Sequence, residues 1–354
     1  MADLRNQAKL HLAWWRRENA RPVVQNWFPL PLPAGGLDID VPPSEIADRK
    51  LRNAEAQHAS PALQDSLVTA GVNFATALYP AAAGCRFRFD RHTSWTLPCA
   101  RRARDVRIPP FDPAQPLYAA YIERLQAVLA RWAWDTYLPV AAGHAGPGDM
   151  LAAFLGPETL AVELYEAPDD VHAAARAATD FICEAVEFEK RLFRSAGVSG
   201  GTATSFNTFQ PGYAGLFVED FTALVGPDHY REFFLEHDRR IVRHFDSVLF
   251  HTHSAGFRNI APMLQLPPSV AFEFGNDPKG PDLPQRIRTV QSLLADGRPT
   301  VFGSWNIPLP RSDVDLAADA LPAPGLNLRF QCASAPEALE LYHHIKNAYP
   351  PEPT

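Results

Sequence analysis

Asp246-Ser-Val-Leu-Phe-His-Thr-His-Ser-Ala-Gly256 reads as a short apolar strand, Val248-Leu249-Phe250, that runs into two histidines and ends at a Ser-Ala-Gly turn. Residues two apart in an extended chain face the same side. His251 and His253 therefore aim both imidazoles at one point, where the strand stops. A second ending of the same kind is Leu326-Asn-Leu-Arg-Phe-Gln-Cys332, followed by Ala-Ser-Ala-Pro-Glu and a helical pattern. Two His and one Cys at the ends of two strands can make a three-ligand metal site with an open position, and nitrogen and sulfur donors favour zinc.

The surroundings of this strand alternate regularly. Apolar periodicity predicts helices over 149–155, 158–165, 168–196, 227–245, 257–264, 283–295, 313–321 and 336–348. Between them lie strands at 203–207, 248–250, 269–274, 300–303 and 326–331, with a weak extra strand at 216–218. Upstream, a helix at 4–19 precedes a strand at 23–28, and Pro42-Pro-Ser-Glu opens another helix. An apolar segment then spans 61–78, strands are expected near 86–89 and 93–97, and a Pro-rich loop at 109–116 leads to a helix at 117–134 and a strand at 137–142.

Strands alternating with helices imply a parallel sheet. No Gly-x-Gly-x-x-Gly follows a strand into a helix, and no Gly-Lys-Ser/Thr phosphate loop occurs. A (β/α)₈ TIM barrel with an N-terminal helical extension is the better reading. In that fold the C-terminal ends of strands build the active site. His251, His253, Glu273, Trp305 and Cys332 all fall at such ends.

Composition narrows the function classes. The 354 residues suit one barrel domain over 1–354, with helices in the first 60 residues packing on it. A net charge of −7 argues against a nucleic-acid partner held by bulk positive charge. The four cysteines, Cys85, Cys99, Cys183 and Cys332, are scattered rather than paired, which suits a reducing cytosol. No apolar run has the length of a signal peptide or a membrane span, so a cytoplasmic location without membrane contact is expected. The oligomeric state is left open, a homodimer included.

Further motifs carry a resemblance. They are Gly146-Pro-Gly-Asp-Met-Leu, Leu155-Gly-Pro-Glu-Thr-Leu, Leu164-Tyr-Glu-Ala-Pro-Asp-Asp-Val, and Glu219-Asp220 ahead of Gly226-Pro-Asp-His-Tyr-Arg-Glu-Phe. With the His-x-His strand and Cys332 before Ala335-Pro-Glu, the chain resembles the uroporphyrinogen decarboxylase superfamily over roughly 10–347, and especially its corrinoid-linked methyltransferase branch. That resemblance implies a zinc-dependent methyltransferase moving a methyl group between a corrinoid protein and a small thiol or other acceptor. In that branch the strand ending is His-x-Cys and a later Cys completes a zinc site. His251 and Cys332 match those positions, His253 stands in place of the first Cys, and Glu273 sits where an acidic fourth ligand can be supplied. The true decarboxylases instead carry an arginine-rich N-terminal motif that grips carboxylates; here Pro29-Leu-Pro-Leu-Pro33 occupies that region.

Each reading has a plainer rival. His251 and His253 could be hydrogen-bonded pocket residues and Cys332 a buried small hydrophobe. Glu273, on an apolar strand, is a ligand, a base or half of a salt bridge, since an unpaired buried carboxylate is costly. Asp220 is expected to accept a proton or place substrate, with Tyr213, although a helix cap is the simple alternative. Asn207, Gln210, Trp27 and Trp305 are candidates for lining the substrate pocket. The competing functions are a metal-free decarboxylase of a polycarboxylate, which requires a basic pocket, and a non-catalytic barrel that binds a small metabolite.

Overall fold

The computed structural model describes residues 3–30, 36–90, 93–274, 276–277, 280–303 and 308–349. Its strands, in chain order, are β1 (Val23–Trp27), β2 (Thr69–Gly71), β3 (Arg86–Phe89), β4 (Ser94–Leu97), β5 (Leu138–Val140), β6 (His144–Ala145), β7 (Thr202–Ala203), β8 (Phe209–Gln210), β9 (Ala214–Val218), β10 (Ser247–Thr252), β11 (Val270–Phe274), β12 (Thr300–Gly303) and β13 (Leu326–Gln331). Seven of them form one parallel sheet in the order β1-β13-β12-β11-β10-β9-β6, and β2 pairs in parallel with β5. β5 and β6 belong to one extended run, 138–145, whose first part pairs with β2 and whose second part pairs with β9.

The result is a barrel-like α/β fold. No ladder joins β1 to β2 among the described residues. Side chains bridge that seam instead. Asn207 accepts from Thr69 Oγ1 at 2.8 Å on Oδ1 and from Gln25 Nε2 on its main-chain carbonyl. Asn207 sits at φ 58°, in the left-handed region that Asn tolerates better than most residues.

Alternation along the strands separates two faces. Val23, Leu216, Leu249, Ala271 and Val301, from five strands, meet inside the sheet around Trp14. Trp14 comes from the helix Leu4–Arg16, which Asp3 caps by accepting from Arg5 and Asn6 amides. Its indole donates to the Gly325 carbonyl at 2.8 Å, so this helix plugs the N-terminal end of the strands. The outward residues Val248, Phe250, Val270 and Phe272 join the large core beneath the helices. On the β13 side, Leu328, Phe330 and Cys332 pack with Ala338, Leu341 and Ile345 of the helix Ala335–Ala348. That helix begins with a reciprocal cap: Ser334 Oγ accepts from the Glu337 amide and Glu337 accepts from the Ala333 amide.

Three elements differ from their sequence reading. The strand expected at 203–207 is only β7, paired antiparallel with β8 in a hairpin. The segment read as a weak extra strand is β9, a full member of the sheet. Gly215 makes that possible, because Phe245 packs where a side chain at this position would stand. The helix expected over 227–245 is interrupted by a π-turn at Tyr230–Phe234, beyond which Tyr230 donates to buried Asp238 at 2.7 Å. Among the described residues, no helix is long and apolar enough to cross a membrane.

Candidate functional site

His251 lies at the C-terminal end of β10, in register with Glu273 of β11. It shares the inward parity of Leu249, so its imidazole turns into the barrel. His251 donates from Nδ1 to Glu273 Oε2, and Arg329 Nη2 donates to Glu273 Oε1 at 2.6 Å. All three side chains are buried. Burial alone would raise the Glu273 pKa, but His251 and Arg329 beside it hold the carboxyl below its usual range. Burial likewise opposes a proton on His251, yet Glu273 and Asp220 outweigh it and raise the imidazole pKa.

His253 repeats this arrangement nearer the solvent. It donates from Nδ1 to Asp277 Oδ1 at 2.8 Å, and Asp277 is itself fixed by the Ser254 amide and hydroxyl at 2.7 and 3.0 Å. The Nε2 atoms of both histidines face one carboxylate. His251 Nε2 is 3.6 Å from Asp220 Oδ1 and His253 Nε2 is 3.4 Å from Asp220 Oδ2. Asp220, with a burial penalty working against it and Asp277 adding to it, pushes the His253 pKa up to about 10.

Asp220 is held in place from below. It follows β9, and its amide and that of Phe221 donate to Asp149 at 3.1 and 2.8 Å. Burial, reinforced by Asp220, raises the Asp149 pKa to about 8. The preceding residue, Glu219, is fully buried and accepts from the Gly148 amide. A Cβ at either Gly146 or Gly148 would collide with the Glu219 carboxylate, which gives Gly146-Pro-Gly148 a steric reason.

These groups form one pole of a cavity of about 840 Å³. Its walls come from Thr69, Gly71–Thr76, Val140–Gly143, Leu216 and Val218, and Ser205 and Phe206 reach it from the β7–β8 turn. The Phe206 ring stands edge-on to His251 at 5.0 Å, and its carbonyl accepts from Arg329. No Arg or Lys occurs among the described residues that line this cavity. The basic pocket required by the polycarboxylate decarboxylase reading is therefore missing from that lining.

The structure brings together His251, His253, Asp220 and, behind them, Glu273. It does not bring Cys332 to them. Cys332 is buried in the apolar cluster with Phe330 and Ala338, and burial pushes its thiol pKa up to about 11. Glu273 accepts from His251 on one oxygen and from Arg329 on the other. Tyr213 is buried away from the cavity, donating to Glu189 at 3.1 Å. Asn207 bridges the β1–β2 seam, and Gln210 donates to Thr208 at 2.9 Å inside the hairpin. The Trp27 ring packs near the Arg329 guanidinium, 5.8 Å from its centre. Trp305 lies outside the described residues.

Arg329, Asp277, Asp149 and Phe206 were not singled out from the sequence. Arg329 carried a signal, because Asn327 and Arg329 alternate with apolar Leu326, Leu328 and Phe330. Asp277 and Phe206 sit in turns, where no periodicity says which way a side chain points. Among the described residues, no three His, Cys, Asp or Glu side chains stand preset as a metal-holding group.

Neither a protein-family model nor any curated protein matches this chain. Among solved structures, it is similar to a methyltransferase from Methanosarcina mazei, at a TM-score of 0.64 and 12% identity. The likeness covers 97% of this chain and 98% of that one, so the two share a fold from end to end.

Proposed function

We propose that this chain is a methyltransferase built on a closed (β/α)₈ barrel in one domain, that it uses a zinc ion, and that it exchanges a methyl group between a corrinoid carried by a partner protein and a small acceptor. The observation that carries the reading is the convergence of His251 Nε2 and His253 Nε2 on Asp220, with both Nδ1 atoms held by carboxylates. Metal-ligating histidines characteristically give their other ring nitrogen to a carboxylate. The full-length likeness to a methyltransferase fold and the sequence motifs point the same way.

The two gaps of 3.4 and 3.6 Å are longer than a well-made N–H···O bond of about 2.7–3.2 Å. They approach the roughly 3.3–3.4 Å that separates donors sharing a tetrahedral ion at arms of about 2.0–2.1 Å. Asp220 Oδ1 is also a buried oxygen with no hydrogen-bond partner. In this reading Asp220 takes the place that the sequence reading gave to Cys332. His251, His253 and Asp220 would hold the ion, Glu273 and Asp277 would fix the imidazoles, and Asp149 would fix the turn that carries Asp220. Zinc bound there supplies Lewis acidity, which lowers the pKa of an acceptor thiol or hydroxyl. The apolar walls keep water from the methyl group.

The test combines metal analysis with methyl transfer from methylcobalamin to 2-mercaptoethanol, followed by the cobalamin absorbance. Near-stoichiometric zinc and transfer above the protein-free rate are expected, both lost in His251→Ala and Asp220→Ala and both kept in Cys332→Ala. A protein that takes up no zinc, or a zinc-loaded protein without acceleration, contradicts the proposal.

A further inference from the structure

The four cysteines are scattered in sequence, yet the fold brings two of them together. Cys85 immediately precedes β3 and Cys99 lies two residues beyond β4, so both stand at the base of the β3–β4 hairpin. Arg86 pairs with Leu97 there, and Arg86 Nη2 donates to the Pro98 carbonyl at 3.1 Å. With strands about 5 Å apart and a rise of about 3.3 Å per residue, this register leaves the two Cα atoms roughly 6 Å apart, a span that a disulfide bridges. One helix end holds both residues. The Cys85 thiol donates to the Ala153 carbonyl at 3.2 Å, and the Cys99 amide donates to the Phe154 carbonyl at 2.8 Å. The Cys99 thiol is near enough to hydrogen-bond with that of Cys85. Cys99 is exposed and Cys85 is buried, and burial, reinforced by Cys99, pushes the Cys85 thiol pKa up to about 12. Cys183 and Cys332 are buried elsewhere, in the helix Pro168–Ser195 and after β13.

We propose that Cys85 and Cys99 form a redox site, at which a hydroperoxide makes a reversible disulfide that clasps the base of the β3–β4 hairpin. The exposed Cys99 reacts first. Its thiolate attacks one peroxide oxygen, the O–O bond breaks, and Cys99 becomes a sulfenic acid. The other oxygen, with the proton that the thiol gave up, leaves as water or an alcohol. The Cys85 sulfur then displaces hydroxide from Cys99, and that hydroxide takes the Cys85 proton and leaves as water. Two thiols lose two electrons in all, and one peroxide gains them. In a reducing compartment, a pair with an exposed member switches rather than staples, because cellular thiols reach it and reduce it again. The hairpin carries Thr96 to the cavity wall, so the clasp fixes part of the rim. Neither cysteine belongs to the zinc centre proposed above, and the chemistry needs no metal.

The test treats the full chain, reduced and then freed of reductant, with hydrogen peroxide. The protein is next denatured in an alkylating agent and its tryptic peptides are weighed by mass spectrometry. Two of the four thiols should be lost. The peptides 53–86 and 92–101 should appear joined, lighter than their sum by two hydrogens, and should separate on treatment with dithiothreitol. In Cys85→Ser, Cys99 should stop at a sulfenic acid that dimedone traps. In Cys99→Ser, Cys85 should keep its thiol at the same peroxide dose, and this exposed position serves should the buried variant not fold. Four unchanged thiols, Cys99 driven to a sulfinic acid beside a free Cys85, or a disulfide joining two chains through Cys99 would overturn the proposal.

Discussion

Replacing Arg329 by Met tests the buried chain that orients His251. Arg329 is 2% exposed and donates to Glu273, itself 2% exposed, at 2.6 Å. Without the guanidinium, Glu273 keeps a buried negative charge with His251 as its remaining partner. Breaking a buried pair from one side costs about 3–5 kcal/mol, because the other charge stays behind. At roughly 2 °C per kcal/mol for a chain of this size, the midpoint of thermal unfolding should fall by about 6–10 °C. Glu273→Gln in the same background removes the stranded charge, so the double variant should be less destabilised than the sum of the two single variants, by about 0.5–3 kcal/mol. Scanning calorimetry of the four proteins reads both quantities. A shift below about 2 °C for Arg329→Met, or strict additivity, would refute the view that Arg329 and Glu273 act as one unit.

Three further outcomes follow from other parts of the molecule. His11 is fully buried, with Nε2 on the Asp65 carbonyl and Nδ1 accepting from the Phe209 amide, and burial lowers its pKa to about 4. The unfolded chain therefore takes up a proton near pH 6.5 that the folded chain refuses until about pH 4. Stability should fall across that window as pH drops, and denaturant titrations of His11→Gln should show a fall smaller by about 3 kcal/mol; identical pH dependence would contradict it. Gly148→Ala, normally stabilising within a helix, should instead cost about 1–3 kcal/mol because its Cβ meets the Glu219 carboxylate. A rise in the unfolding midpoint would reverse that assignment. Cys332→Ser should destabilise by about 1–3 kcal/mol through a buried, unpartnered hydroxyl, and Cys332→Ala should be milder, since the thiol packs among apolar groups.

Much of the architecture was legible because long periodic segments declare themselves. The helix Leu283–Ala295 and strands β10, β11, β12 and β13 lie close to where periodicity puts them. The seam between β1 and β2 was not legible, since it is bridged by Asn207 from a distant turn. The two-residue spacing of His251 and His253 pointed both rings at one place, and both Nε2 atoms do face Asp220. Cys332 is the instructive case. Being at a strand end says nothing about which face a side chain takes. Leu326, Leu328 and Phe330 point outward, and Cys332 continues that series, while Arg329 holds the inward position. Parity along β13 therefore groups Cys332 with the outward apolar residues. Asp277 carried no such signal, because a turn has no period.

His251, His253 and Asp220 are proposed as the metal centre, with no part for Cys332. X-ray absorption at the zinc edge of the zinc-loaded protein tests it most directly, because sulfur and light-atom scatterers are readily told apart. A first shell of nitrogen and oxygen only is expected, unchanged in Cys332→Ala and lost in Asp220→Ala. A sulfur scatterer in that shell would contradict it and return Cys332 to the site.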